Sequence, residues 1–293
     1  MEIVARPRII LRKGIVMHLP TYNFEQFRQY CFSFGQGSLP LLIVVGSPGL
    51  SKSRTMAEAC PEARIIQGGN LSAFGFYLEL YQYKNQPIII DDIDALYTNK
   101  DSVRLLKCVC QTEATKVVGW HTASKKLPQD NFGNPIKEFK TTSHIAIIAN
   151  EWKSLNKNVE ALADRGHLLS FEPSASEVHE NVCGWFRDQE ILDYFEEHLG
   201  DIHNPSMRTY KAALDLKNAG HDWKTPLLQT WQKPIPEELA IMKLVNMKMG
   251  EEDKVNLFFR WTGASRTTYY RKVKALATKM TMKAAPREDD LMR

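Results

Sequence analysis

"VVGSPGLSKS", residues 44–53, decides the fold. It follows the phosphate-loop pattern G-x-x-x-x-G-K-[ST] except at one place. Gly46, Lys52 and Ser53 hold their positions, and Ser51 stands where the second glycine belongs. Two readings are open on these residues alone: a nucleotide site with one substitution, or a turn rich in glycine and serine. The flanks favour the site. "LPLLIVVG" (39–46) is a continuous apolar run, as in a strand buried on both faces, and "KSRTMAEAC" (52–60) can open a helix. A strand that ends in a turn of inward-pointing N–H groups, followed by the positive end of a helix dipole, is what cradles phosphates. In that geometry Gly46, Pro48, Gly49, Leu50, Ser51, Lys52, Ser53 and Arg54 bind ATP. Lys52 meets the β- and γ-phosphates and the Ser53 hydroxyl ligates Mg2+.

Outward from the loop, apolar runs alternate with helical patterns. Further strands are expected at "ARIIQGG" (63–69), "QPIIIDDID" (86–94), "SHIAIIAN" (143–150) and "HLLSFEP" (167–173), with helices at 71–83 and 100–113 between them. This alternation predicts an α/β core, a parallel sheet with helices on both faces. "IIIDD" delivers two carboxylates at a strand end, as a Mg-ATP site needs: Asp91 for the metal and Asp92 to polarise the attacking water. Acidic residues also end strands and cap helices for purely structural reasons. Asn150 ends another buried strand, where an amide can orient that water. Arg165 precedes the strand at 167–173, and Arg208 opens a helix in "NPSMRTYKAA". For either arginine the plain alternative is a surface salt bridge.

In this order the residues resemble the AAA+ superfamily of ATPases over roughly 38–220. The match consists of a degenerate Walker A (Gly46, Gly49, Lys52, Ser53), a Walker B ("IIIDD"), a sensor-1-like Asn150, an arginine-finger-like Arg165 and a sensor-2-like Arg208. The resemblance implies a three-layer αβα P-loop core, an all-α lid, and a ring or helical filament in which Arg165 reaches the neighbour's γ-phosphate. Two departures bear on turnover: Ser51 replaces a glycine, and Asp92 stands where glutamate is commoner.

Past Pro173 the patterns are helical only. A lid is expected over 174–223, a Pro-rich linker over 224–236, a small all-α module over 237–284 and a disordered tail over 285–293, with 1–37 as an N-terminal segment and 38–173 as the core. From Lys254 to Lys283 there are eight Lys or Arg and no Asp or Glu, which suggests a polyanionic partner. "LFFRW", a "TGAS" turn with Ser265 as N-cap, and "SRTTYYRKVKALATKM" resemble a helix-turn-helix for duplex DNA. Arg266, Thr267, Thr268 and Tyr270 would face bases, Arg271, Lys272 and Lys274 phosphates, and Val273 and Leu276 the core with Tyr269 or Tyr270. A basic solvated face is the alternative. The polar loop 121–143 (Lys125, Lys126, Lys137, Lys140) and the N-terminal basic run (Arg6, Arg8, Arg12, Lys13) are weaker candidates for DNA or subunit contact.

Composition is that of an ordinary globular protein, 43% hydrophobic and 25% charged with net charge +4. No apolar run reaches the roughly 20 residues of a membrane span. The start is broken by Arg, Lys and Pro, unlike a signal peptide. Five cysteines without C-x-x-C fit a reduced, cytoplasmic setting. The combined expectation is a DNA-associated ATPase in replication initiation, helicase-type or transposition-helper work, with a replication or recombination protein as a candidate partner. An ATP-gated DNA-binding regulator that barely hydrolyses, or a protein-remodelling ATPase, are the rivals.

Overall fold

The computed structural model describes residues 17–21, 23–69, 71–122, 124, 126–150, 162, 165–247 and 249–284, with backbone only at 17–21, 94–95, 246 and 278–284. The N-terminal basic run, Lys125 and the 285–293 tail lie outside the described residues. The chain divides into two compact units that part between Glu172 and Pro173.

The first unit contains β1 (Met17–Thr21), α1 (Phe24–Gly35), β2 (Leu41–Val45), α2 (Lys52–Ala59), β3 (Arg64–Gln67), α3 (Ala73–Gln82) and β4 (Ile88–Asp91). It continues with α4 (Asp94–Thr98), α5 (Lys100–Val109), β5 (Lys116–Gly119), β6 (Glu138–Thr141), β7 (Ile145–Ala149) and β8 (His167–Phe171). Six strands form one sheet in the order β1-β8-β2-β7-β4-β3, every pair parallel. The apolar runs are continuous because both faces are covered. Ile43, Ile88, Ile90, Ile145 and Ile147 pack with Phe76, Tyr77, Leu80, Leu105, Leu106 and Val109 from α3 and α5. The intervening Leu42, Val44, Ile89, Ala146 and Ile148 are equally buried and face the other way. Phe27 of α1 stacks on Phe171 at 4.3 Å. This is the expected three-layer α/β core with a parallel sheet.

All five expected strands are present; β1 and the antiparallel β5–β6 pair are additions to the sequence reading. Both additions have mixed patterns that hide them. Lys116 occupies an inward position of β5, 2% exposed, with its Nζ donating to the Ser143 carbonyl at 2.5 Å. A buried cation interrupts the apolar signal, and burial pushes its pKa down. The polar 121–143 stretch thus supplies the second strand of a hairpin, Glu138–Thr141, and most of the connection to it, with Val118 and Phe139 buried. Near its tip Asp130 accepts the N–H groups of Phe132 and Asn134, and Phe132 stands 90% exposed.

Among its described residues the second unit is helical throughout. α6 (Ala175–Cys183) starts at a capping box of Ser174 and Glu177, and α7 (Gln189–Glu197) and α8 (Met207–Asn218) follow. The segment read as a linker, 224–236, is corrected by the structure: Lys224–Trp231 is a helix, α9. Pro226 sits in its first turn, where a missing N–H costs little, and Asp222 accepts the Lys224 and Thr225 N–H groups. Leu227 and Trp231 are buried, with Trp231 against Phe195 at 4.9 Å. A proline count alone cannot separate a linker from a helix that begins near its proline.

Three further helices, α10 (Glu237–Asn246), α11 (Glu251–Thr262) and α12 (Arg266–Ala284), gather around Ala240, Ile241, Leu244, Val255, Phe258, Trp261 and Tyr269. Gly263 ends α11 in the left-handed conformation (φ 71°), and the Ser265 Oγ accepts the Thr268 N–H at the start of α12. Tyr269 is the inward tyrosine at 1% exposure, whereas Tyr270 is 42% exposed.

Two stability predictions follow from this packing. Phe258→Ala empties the middle of the three-helix core and should cost about 3–5 kcal/mol in chemical denaturation. Burial holds His144, His179 and His203 below their usual 6.5. The unfolded chain therefore binds protons that the native histidines refuse. Their contribution is present above about pH 6.5 and is lost as pH falls. The urea midpoint should be lower at about pH 5.5 than at about pH 7.5.

Candidate functional site

The sheet order builds the site. β7 lies between β2 and β4, and all three run parallel, so their carboxyl ends share one edge. Past the strand ends two backbone bonds extend the ladder onto β7: Gly46 N–H to the Ala149 carbonyl (3.3 Å) and Asp92 N–H to the Ile148 carbonyl (3.1 Å). The loop after β2, the carboxylates after β4 and Asn150 after β7 are thereby neighbours, though 46, 92 and 150 are far apart in the chain.

Each loop residue has a local reason. A Cβ on Gly46 would fall 2.2 Å from the Phe171 carbonyl oxygen of the neighbouring β8, so only glycine fits. Gly49 turns with φ 81°. Ser51 has φ 57° and ψ 25°, the left-handed conformation for which the pattern reserves its second glycine. Serine adopts it at a cost of roughly 1–2 kcal/mol. Its side chain makes no capping bond, while its carbonyl accepts the Thr55 N–H. Leu50 is buried and offers only its backbone, and Pro48 is exposed.

Lys52, the first residue of α2, is 6% exposed. Its Nζ donates to the carbonyls of Gly46 (2.7 Å) and Ser47 (2.8 Å) and to Asn150 Oδ1 (3.2 Å). Asn150 Nδ2 in turn donates to Asp92 Oδ2 at 3.0 Å. Asp92 is itself left-handed, φ 54°, which turns its carboxylate out of the strand direction. Three residues singled out from the sequence are therefore joined in one line, Lys52–Asn150–Asp92. Ser53 and Asp91 are both half-buried beside it, an hydroxyl and a carboxylate of the hard-oxygen kind that suits Mg2+.

The remaining candidates sit differently. Arg54 is exposed and pairs with Glu58 one turn along α2 (2.7 Å). Arg165 donates from Nη1 to the Lys107 carbonyl (3.0 Å) in the last turn of α5, a favourable place for a cation. Arg208 is exposed at the second position of α8, in the other unit. Glu172 was missed: its carboxylate accepts the Ser47 hydroxyl at 3.3 Å beside the loop. The signal was there, since Glu172 ends the β8 run as Asp91 ends β4.

In the three-helix module, acids from the preceding helices reach the basic α12. Arg266 pairs with Glu252 (2.7 Å) and lies over the Tyr270 ring. Lys272 meets both Glu237 and Glu238, and the Tyr269 hydroxyl donates to Glu251. Thr267, Arg271 and Lys274 are exposed and Thr268 half-buried. Arg271 makes no ion pair among the described residues.

No protein-family model matches the sequence. An uncharacterized 36.7 kDa protein from the nrdC–mobD intergenic region of Enterobacteria phage T4 is 31% identical over 143 residues, 46% of this chain. The match spans 41% of that relative's length. Among solved structures, NtrX from Brucella abortus with ADP aligns at TM-score 0.48 and 11% identity, over 86% of this chain and 68% of that one. The same protein with ATP aligns at TM-score 0.44 and 12% identity, over 92% and 70%. A DNA replication initiation factor aligns at TM-score 0.41 and 11% identity, over 93% and 91%.

The left-handed Ser51 makes a direct prediction. Ser51→Gly removes the Cβ clash, at the price of a floppier unfolded chain, and should raise stability by about 0.5–1 kcal/mol. Differential scanning calorimetry reads the change as a higher Tm.

Proposed function

We propose that this chain is an AAA+-type ATPase that works on duplex DNA. One observation carries it: a parallel sheet brings Lys52, Asn150 and Asp92 into one hydrogen-bonded line at the mouth of a phosphate loop. Sheet edges of this kind, where loops gather at the carboxyl ends of strands, are where α/β proteins bind ligands.

In this reading the loop N–H groups from Pro48's neighbours through Lys52 surround the phosphates of ATP, and the Lys52 ammonium balances their charge. Ser53 and Asp91 hold Mg2+, which neutralises charge on the phosphate oxygens when bound. Asp92 takes the proton of the attacking water, and Asn150 orients that water. Arg165 serves a neighbouring subunit in a ring or helical filament, leaving its place on the Lys107 carbonyl to do so. Arg208 contributes from the helical lid.

α12 is the DNA-reading helix, with Arg271 and Lys274 on phosphates and Thr267, Thr268 and Tyr270 toward the groove. On binding, Arg266 and Lys272 give up their carboxylates, Arg266 for base edges and Lys272 for phosphate oxygens. A helix-turn-helix beside such a motor suits replication initiation, helicase-type work or a transposition helper. A second reading, an ATP-gated DNA-binding regulator with little hydrolysis, is favoured by Asp92, a short side chain already engaged by Asn150. Among the described residues, no helix is long and apolar enough to cross a membrane.

Lys52→Ala should abolish ATP binding in isothermal titration. Steady-state ATPase with and without duplex DNA separates the two readings. DNA-stimulated turnover that is lost in Asp92→Ala supports the motor, and turnover that survives that change sinks it. For the DNA module, Arg271→Ala should weaken duplex binding on every sequence alike and lower the salt slope by about 1.

A further inference from the structure

We propose that His179 and Cys183 form a binding site for a soft divalent metal ion such as Zn2+, which Glu196 completes from the next helix. The site lies wholly within the helical unit and does not rest on the nucleotide reading above.

The two donors stand one turn apart on α6, whose last residue is Cys183, so their side chains share a face. Cys183 Sγ lies 3.4 Å from His179 Nε2. A tetrahedral Zn2+, with Zn–S about 2.3 Å and Zn–N about 2.0–2.1 Å, needs these two atoms about 3.5 Å apart. A contact bridged by a thiol proton is thus already wide enough for the ion that replaces it. The proton leaves to solvent as the metal–thiolate bond forms, and the imidazole keeps its own proton on Nδ1.

That second ring nitrogen has a fixed partner. The Tyr210 hydroxyl, from α8, lies 3.0 Å from His179 Nδ1. Tyr210 is buried and its ring stacks on Phe195 of α7 at 3.7 Å, so the hydroxyl has little freedom to move. With Nδ1–H donating to the phenol oxygen, Nε2 presents its lone pair toward Cys183, and a metal-binding histidine is oriented in just this way through its other nitrogen.

The charge around the pair suits a cation. Burial lowers the pKa of His179 and raises that of Cys183, and the Glu196 carboxylate on α7 opposes the first shift and adds to the second. One anion therefore acts on both donors. Among the described residues, no three His, Cys, Asp or Glu side chains already surround one point. Glu196 is exposed and reaches the ion by rotating its side chain, and water takes the fourth position. Imidazole, thiolate and carboxylate together select Zn2+ or Cd2+, whereas Mg2+ keeps to oxygen ligands. Cys183 is the exposed thiol of the chain; Cys31, Cys60 and Cys110 are buried and Cys108 is half-buried. An ion held there ties α6 to α7.

Titration of the untagged full chain with CdCl2 should develop the ultraviolet cadmium–thiolate charge-transfer band and saturate at one ion per chain. Cys183→Ser, a change at an exposed position, should abolish the band. Glu196→Gln should weaken binding several-fold and Tyr210→Phe roughly 10-fold. ZnCl2 should compete for the site and raise the Tm of the native chain while leaving that of Cys183→Ser unchanged, and a large excess of MgCl2 should do neither. A native chain without the band, or a band that survives Cys183→Ser, overturns the proposal. Unchanged affinity in a folded His179→Gln variant means a lone thiol and overturns it as well. Where that variant does not fold, Glu196→Gln and Tyr210→Phe decide, and native affinity in both overturns the site.

Discussion

A buried ammonium organises this site. Lys52 is nearly inaccessible to water, and an uncompensated cation there would cost several kcal/mol. Its compensation comes from two carbonyls of its own loop and one amide from a distant strand. The loop must therefore curl back over the lysine, and β7 must lie beside β2 so that Asn150 comes within reach. Sheet order, loop conformation and the line to Asp92 all answer to the same requirement, that a charge taken out of water be met by oxygen.

Two residues at the site hold backbone conformations that glycine would adopt more cheaply, Ser51 and Asp92. Each is kept there by its surroundings. Ser51 directly precedes α2 and its carbonyl accepts the Thr55 N–H, and the Asp92 N–H donates to the Ile148 carbonyl. Strain in such places persists only where neighbouring bonds over-determine it, and it gathers where side chains must be aimed. For Asp92 the gain is visible, because the turn presents its carboxylate to Asn150.

The C-terminal module shows how tertiary packing redraws a charge map. Thirty residues free of acids look like an open cationic face. In the fold, Glu237, Glu238, Glu251 and Glu252 come from α10 and α11 to meet Lys272, Tyr269 and Arg266. Exposed ion pairs of this kind are weak, about 0.2–1 kcal/mol, so they orient side chains without locking them. Among the described residues, what these acids leave without an ion pair is narrower than the sequence suggests and includes Arg271.

Much was legible before any coordinates. Continuous apolar runs identify β2, β4 and β7, because a strand buried on both faces has no polar side to show, and shorter apolar runs mark β3 and β8. The loop pattern, the acids after β4 and Asn150 after β7 are local features at strand ends, and strand ends are readable. Elements whose stability comes from elsewhere were not. β5 hides behind a buried Lys116 whose partner is the Ser143 carbonyl, and α9 hides behind a proline that happens to fall in a first turn. By itself, then, the sequence determined which segments are strands and helices and which residues stand at their ends. Only the tertiary structure decided which ends meet, that Arg165 rests on α5, and that Lys52, Asn150 and Asp92 form one line. The reason is physical: periodicity and turn chemistry act over a few residues, whereas strand order and the pairing of buried charges are set by contacts between residues far apart in the chain.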